Sequence, residues 1–266
     1  MNGLHLRVEG SADAPALLLL HGTGGSSAWW EPVVPALARD YRVIRLELAG
    51  HGRSPAAAHA DGYTILAQAA AVAEALEQLG VTRLAGAVGH STGGSVVTAL
   101  AEARPGTVAA LALIDTCPSA GAALPDSLVA RLLLAPFPGR LLWRAFAGTL
   151  LPKAFASAFA RPGPVPEALV DGSREMTHRA LAATSRASLR YLEQGALPDR
   201  LARSGLPVLV VVGTEDRRWR TEAAADYRGV PGLRLELLPG VGHTPMYEAT
   251  ETVVALLRAF LAGAAG

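Results

Sequence analysis

One cysteine, Cys117, stands in a chain of 266 residues. An internal disulfide is excluded, and a cysteine-ligated zinc site is disfavoured for want of thiolates. The thiol itself reads as a small buried hydrophobe. Lysine is as scarce, with Lys153 alone, and 24 basic residues stand against 23 acidic ones for a formal net charge of +1. That balance makes no electrostatic case for nucleic acid or for an anionic membrane. Apolar runs are broken by Pro, Gly or Arg before they reach spanning length. The N-terminal MNGLHLRVEG lacks the basic region and apolar core of a signal peptide. The expectation is a cytoplasmic protein with a small-molecule substrate and neither a nucleic-acid nor a membrane partner. Oligomeric state is not encoded in these features.

Half of the residues are hydrophobic, enough for one large domain carrying an insertion. Short apolar runs alternate with helical patterns. LHLRV (4–8), ALLLL (16–20), YRVIRLEL (41–48), RLAGAVG (83–89) and VAALALID (108–115) read as strands. So do PVLVVVG (207–213) and LRLELLPG (233–240). ILAQAAAVAEALEQLG (65–80), SVVTALAEARPG (95–106) and ETVVALLRAFLAG (251–263) read as helices. This alternation predicts an α/β fold with a mostly parallel sheet flanked by helices. Residues 118–205 differ: no good strand is visible, and short helical patterns are separated by Pro and Gly. Trp143, Phe137, Phe146, Phe155, Phe159 and Tyr191 make this insertion rich in apolar surface. The helical pieces expected there include GRLLWRAFAGTLL (139–151) and, separately, KAFASAFA (153–160).

The stretch GAVGHSTGGSVV (86–97) sets Ser91 between Gly89 and Gly93, with a strand before it and a helix after it. A serine at such a turn is lifted to the sheet's C-terminal edge, beside a helix N-terminus that favours developing negative charge. A hydroxyl needs a base, the base needs an orienting carboxylate, and the oxyanion needs donors. His243 follows the strand 233–238, and Asp216 follows the strand 207–212, so both come at carboxyl ends of strands. Backbone N–H groups of Thr92 and of Thr23, in the loop HGTGGSSAWW (21–30), are the expected oxyanion donors, with Gly24 second to Thr23.

These motifs, in this order, resemble the α/β-hydrolase superfamily over nearly the full chain. The matching stretches are His21-Gly22, Gly50-His51-Gly52-Arg53-Ser54, Gly89-His90-Ser91-Thr92-Gly93, Gly213-Thr214-Glu215-Asp216 and Gly242-His243. The wording GHSTGG is also similar to small bacterial esterases of the cofactor-free haloperoxidase and perhydrolase type. The resemblance implies an α/β-hydrolase core at 1–117 and 206–266, with the insertion 118–205 as an all-helical cap. It implies a serine hydrolase of the esterase or thioesterase kind, needing neither metal nor cofactor. Glu47 stands where the family often has Asp, which implies a structural adjustment. The family also leaves Asp115 open as a rival to Asp216, since some members take the acid from that strand end. Glu215 is a second rival with poorer spacing.

Gly24, Trp29, Met176 and His178 are candidate substrate contacts; His178 also reads as a surface histidine of the cap. Of Trp29 and Trp30, one belongs in the core and one toward the pocket. His21, His51 and His90 read as structural, and Arg217, Arg218 and Arg220 as a solvated loop. The expected reaction is cleavage of a carboxylic ester, thioester or lactone with a hydrophobic acyl group, through an acyl-enzyme on Ser91. A cyclase, lactone-forming acyltransferase or lyase on the same scaffold is the alternative, separable by product analysis. A ligand-binding pseudoenzyme is the second, separable by covalent labelling.

Overall fold

The structure, a computed structural model, describes residues 3–125, 128–161 and 163–264. Seven strands form one sheet: β1 (Leu6–Glu9), β2 (Ala16–Leu20), β3 (Arg42–Leu46), β4 (Gly86–His90), β5 (Leu111–Ile114), β6 (Val208–Gly213) and β7 (Leu233–Leu238). The order is β1-β3-β2-β4-β5-β6-β7, with β1 antiparallel to β3 and every other pair parallel. The expected α/β class is therefore observed.

Burial on both faces explains why β2 reads as unbroken ALLLL. Leu18 and Leu20 point into one core layer, with Val72 and Leu76 of α2 (Ile65–Gln78) and Val96 and Leu100 of α3 (Thr92–Ala103). Leu17 and Leu19 point into the other, with Leu37 of α1 (Val34–Leu37). That layer extends over the C-terminal helix, through its Leu257 and Leu261. Thr64 starts α2 by accepting the Ala67 N–H at 3.2 Å.

Between β5 and β6 lie α4 (Leu128–Leu134), α5 (Gly139–Ala156), α6 (Glu167–Arg174), α7 (His178–Glu193) and α8 (Leu197–Ser204). After β7 come α9 (Pro245–Glu248) and α10 (Thr250–Ala264). Two expectations need correction. The pieces 139–151 and 153–160 are not separate, because α5 runs through Pro152. An interior proline costs about 3 kcal/mol, but Trp143, Leu151 and Phe155 fall on one buried side of the uninterrupted helix. Helix α8 was not anticipated. Its Pro198 lies in the first turn, where the missing N–H costs nothing, and Gly205 (φ +65°) ends it. It packs on α3, and its Leu197 N–H donates to the Pro118 carbonyl at 2.8 Å.

Candidate active site

Strand β4 ends at His90 and α3 starts at Thr92, so Ser91 alone makes the turn. Its φ of 52° and ψ of −123° lie where an L side chain is strained. The Ser91 N–H donates to the Ile114 carbonyl at 2.9 Å, and its own carbonyl accepts the Gly94 N–H at 2.9 Å. The closeness of the two elements explains the glycines. A Cβ on Gly89 would overlap the Gly93 backbone, and one on Gly93 would overlap the Leu20 carbonyl. The helix expected from residue 95 begins three residues earlier, directly at the serine.

His243 and Asp216 meet as the sequence suggested. The His243 Nδ1–H donates to Asp216 Oδ2 at 2.7 Å. Asp216 Oδ1 accepts the Arg218 N–H at 2.7 Å. Ser91 and His243 line the same cavity. The rival Asp115 is also close: one ligand atom each of Asp115, Asp216 and His243 lies within 4.8 Å of the others. Asp115 Oδ1 accepts the Gly213 N–H at 2.9 Å, and among the described residues Oδ2 has no partner. Burial, reinforced by the Asp216 charge, pushes the Asp115 carboxyl well above the usual range. In the structure it is Asp216, and not Asp115, whose carboxylate meets His243 Nδ1. Among the described residues these three side chains are a group that could hold a cation, but His243 Nδ1 and Asp216 Oδ2 are already engaged with each other.

Glu248 was not singled out by the sequence reading. Its Oε1 accepts the Gly242 N–H (3.1 Å), the Thr244 N–H (3.3 Å) and the Thr244 hydroxyl (2.7 Å). Its Oε2 accepts the Ala160 N–H at 2.8 Å. One carboxylate thus ties the His243 loop to the chain leaving α5. The His243 N–H adds a bond to the Ala158 carbonyl at 2.7 Å. No spacing rule marks a lone glutamate in TPMYE for this work.

Four further histidines sort by their partners. His21 donates from Nδ1 to the Gly22 carbonyl and accepts the Leu48 N–H at Nε2. His51 donates to the Ala49 carbonyl; burial, then the neighbouring His21, brings it down to about 3. His90 donates from Nε2 to the His243 carbonyl at 2.8 Å, and burial holds it well below 6.5. All three are buried, as structural histidines should be. His178 is not on the cavity wall, contrary to its candidacy as a substrate contact. Its Nε2–H donates to the Leu133 carbonyl at 2.7 Å, which joins α7 to α4.

The cavity has a volume of about 320 Å³. Thr23, Gly24, Trp29, Ser91 and His243 line its sheet side; Leu133, Leu134, Trp143, Leu151, Phe155 and Met176 line the side of the inserted segment. Trp29 stacks on His90 with ring centres 5.3 Å apart, while Trp30 is fully buried in the core. Thr92 opens α3, so its N–H has no carbonyl one turn back. No acceptor among the described residues takes the Thr23 N–H. The two threonine hydroxyls bond each other at 2.8 Å.

Three further readings are sharpened. Glu47 fits in place of aspartate by reaching two loops: it accepts the Ser27 N–H and hydroxyl and the Arg53 N–H. Burial alone would raise this carboxyl, but those donors hold it below its usual range. The arginines after Asp216 are more than a solvated loop. Arg218 donates to the Ala154 carbonyl and the Ser157 hydroxyl, and Arg220 to the Gly121 carbonyl. Cys117 is half-buried, and burial pushes its thiol up to about 11.

A family model described as alpha/beta hydrolase fold matches residues 15–250. A Variovorax paradoxus protein named "Putative carbamate hydrolase RutD" is 41% identical over 132 residues, which spans about half of this chain (49%) and 49% of that protein. A solved membrane phospholipase A, described as a bacterial virulence factor, is 26% identical, with a TM-score of 0.72 over 99% of this chain and 87% of its own. The enol-lactonase of Burkholderia xenovorans LB400 shares the fold at 24% identity and a TM-score of 0.75, over 97% of this chain and 96% of its own.

Proposed function

The chain belongs to the α/β-hydrolase family, and we propose that it is a serine hydrolase that cleaves a carboxylic ester, thioester or lactone with a hydrophobic acyl group. One observation carries the reading. A strained serine at a strand–helix turn shares a cavity with a histidine whose far nitrogen is held by a buried carboxylate. In the proposed reaction Ser91 Oγ attacks the acyl carbon while His243 Nε2 takes its proton. Asp216 fixes the imidazole tautomer and stabilises the imidazolium. The N–H groups of Thr92 and Thr23 receive the oxyanion. His243 returns the proton to the leaving group, then activates the water that releases the acid. The helices between β5 and β6 act as the cap, and their apolar side chains hold the acyl group. The names of the similar proteins, a carbamate hydrolase and a phospholipase A, support hydrolysis at a carbonyl carbon.

Turnover of p-nitrophenyl esters of graded acyl length tests this. Ser91→Ala is expected to lower kcat by roughly 10⁴-fold or more, because triad members act as a unit. Retention of turnover by that variant would overturn the covalent mechanism.

A further inference from the structure

Six large apolar side chains stand exposed along one short segment: Leu124, Leu128, Leu132, Phe137, Leu141 and Phe146. Phe137, at 75%, is the most exposed large hydrophobic residue among those described. Exposed apolar residues scattered singly need no explanation, but a cluster marks an interaction surface. Within α4, Leu128, Arg131 and Leu132 share the outward side, while Leu133 and Leu134 line the cavity. This helix is therefore a wall one helix thick between the cavity and the surroundings.

The charge of the segment is one-sided. Between Asp126 and Glu167 the sequence carries Arg131, Arg140, Arg144, Lys153 and Arg161 and no acidic residue. All five cations are exposed. Among the described residues none of them enters an ion pair. The overall charge of +1 conceals this, because five of the 24 basic residues and none of the 23 acidic ones fall here.

We propose that the exposed surface around the α4–α5 turn, with Leu128, Leu132, Phe137 and Leu141 beside Arg131, Arg140 and Arg144, docks on an anionic lipid surface, which sets the cavity wall against the headgroup layer. Apolar side chains flanked by arginine and lysine suit that boundary: the rings and leucines enter the acyl edge, and the cations reach the phosphates. A second copy of the chain is a poorer occupant. A two-fold contact through this face would bring these cations against the same cations. The segment lies on the surface and does not span it, since no helix among the described residues is long and apolar enough to cross a membrane. The proposal departs from the expectation, drawn from net charge, that there is no membrane partner. Docking needs no chemistry, so it stands apart from the hydrolase reading.

The test is co-sedimentation with vesicles of phosphatidylcholine alone and of phosphatidylcholine mixed with phosphatidylglycerol. Wild type and Ser91→Ala are both expected to bind the mixed vesicles, at least about tenfold more tightly than the neutral ones, and less tightly as salt rises. Arg140→Gln and Arg144→Gln are each expected to weaken binding roughly fivefold. Phe137→Asp with Leu141→Asp should remove binding while turnover of a water-soluble short ester stays unchanged; neither side chain lines the cavity. Should that double variant fail to fold, the arginine variants carry the test. The proposal is overturned if folded wild type stays in solution with both vesicle types, or if the arginine variants bind as wild type does. It is also overturned if sedimentation velocity shows a dimer that the Phe137/Leu141 variant dissociates, which would assign the face to a second copy.

Discussion

The sheet and the inserted helices solve opposite problems. Strands β2, β4, β5 and β6 are buried along their whole length; Ser91 follows β4, Asp216 follows β6, and Glu47 follows the neighbouring β3. The insertion is thin. Seven of the ten exposed large hydrophobics among the described residues fall within 118–205: Leu124, Leu128, Leu132, Phe137, Leu141, Phe146 and Leu189. The core spends its apolar residues on itself, whereas the insertion divides them between the cavity and the outside. In the proposed function the difference separates two roles: the core would set the chemistry, and the insertion would set what reaches it. Apolar packing joins the two, with Trp143, Phe155, Leu197 and Leu201 in the same core layers as the sheet, and polar joints add to it, two of them from Arg218 and Glu248.

Substitutions in the core should therefore change rate for every substrate, and those in the insertion should change preference. After Ser91, the largest effect is expected at Asp216. Asp216→Asn loses the acceptor that fixes the His243 tautomer and should lower kcat by about 10⁴-fold. Asp115→Asn, though it alters a carboxyl in the same cluster, should leave kcat within about twofold, because an amide replaces a group already driven toward its neutral form. Equal losses in the two variants, measured by steady-state kinetics, would break this assignment.

A smaller and selective effect is expected in the insertion. Leu133→Ala removes three carbons of a partly buried side chain from the cavity wall, and with them apolar contact to a longer acyl chain. It should lower kcat/KM about tenfold for a medium-chain ester and hardly change it for an acetate. A uniform loss across chain lengths would place Leu133 with the core and not with the acyl site.

The smallest effect is one of stability and lies in the core. His51 stays neutral in the folded chain down to about pH 3, while an unfolded histidine takes up its proton near pH 6.5. Between those values the unfolded state binds more protons, so stability falls as pH falls. Denaturant midpoints of wild type and His51→Gln, compared at neutral and mildly acidic pH, should show a flatter dependence in the variant.

Much of this was legible in the sequence, for physical reasons. Strands buried on two faces leave unbroken apolar runs, and a turn that permits only glycine at close approach leaves the pattern around Ser91. Proline misled at two sites because its effect depends on position. Pro198 sits harmlessly in a first turn, and Pro152 is tolerated where Trp143, Leu151 and Phe155 anchor the helix on both sides. Glu248 and the Oδ2 of Asp115 were not legible, because their roles arise from loops that meet only in the folded chain. His178 was misplaced because a histidine beside Met176 carries no mark of which side of a helix start faces the cavity. Net charge does not report distribution: a sum over 266 residues hides five cations gathered in one segment.

The most direct measurement is intact-mass labelling with a fluorophosphonate probe, applied to wild type, Ser91→Ala and Asp216→Asn. Addition of one probe mass to wild type, none to Ser91→Ala and a much slower addition to Asp216→Asn is the expected result. It would identify an activated serine whose base is held by Asp216. Folded wild type that takes no label, or equal labelling of Ser91→Ala, would contradict the proposal that Ser91 is the nucleophile.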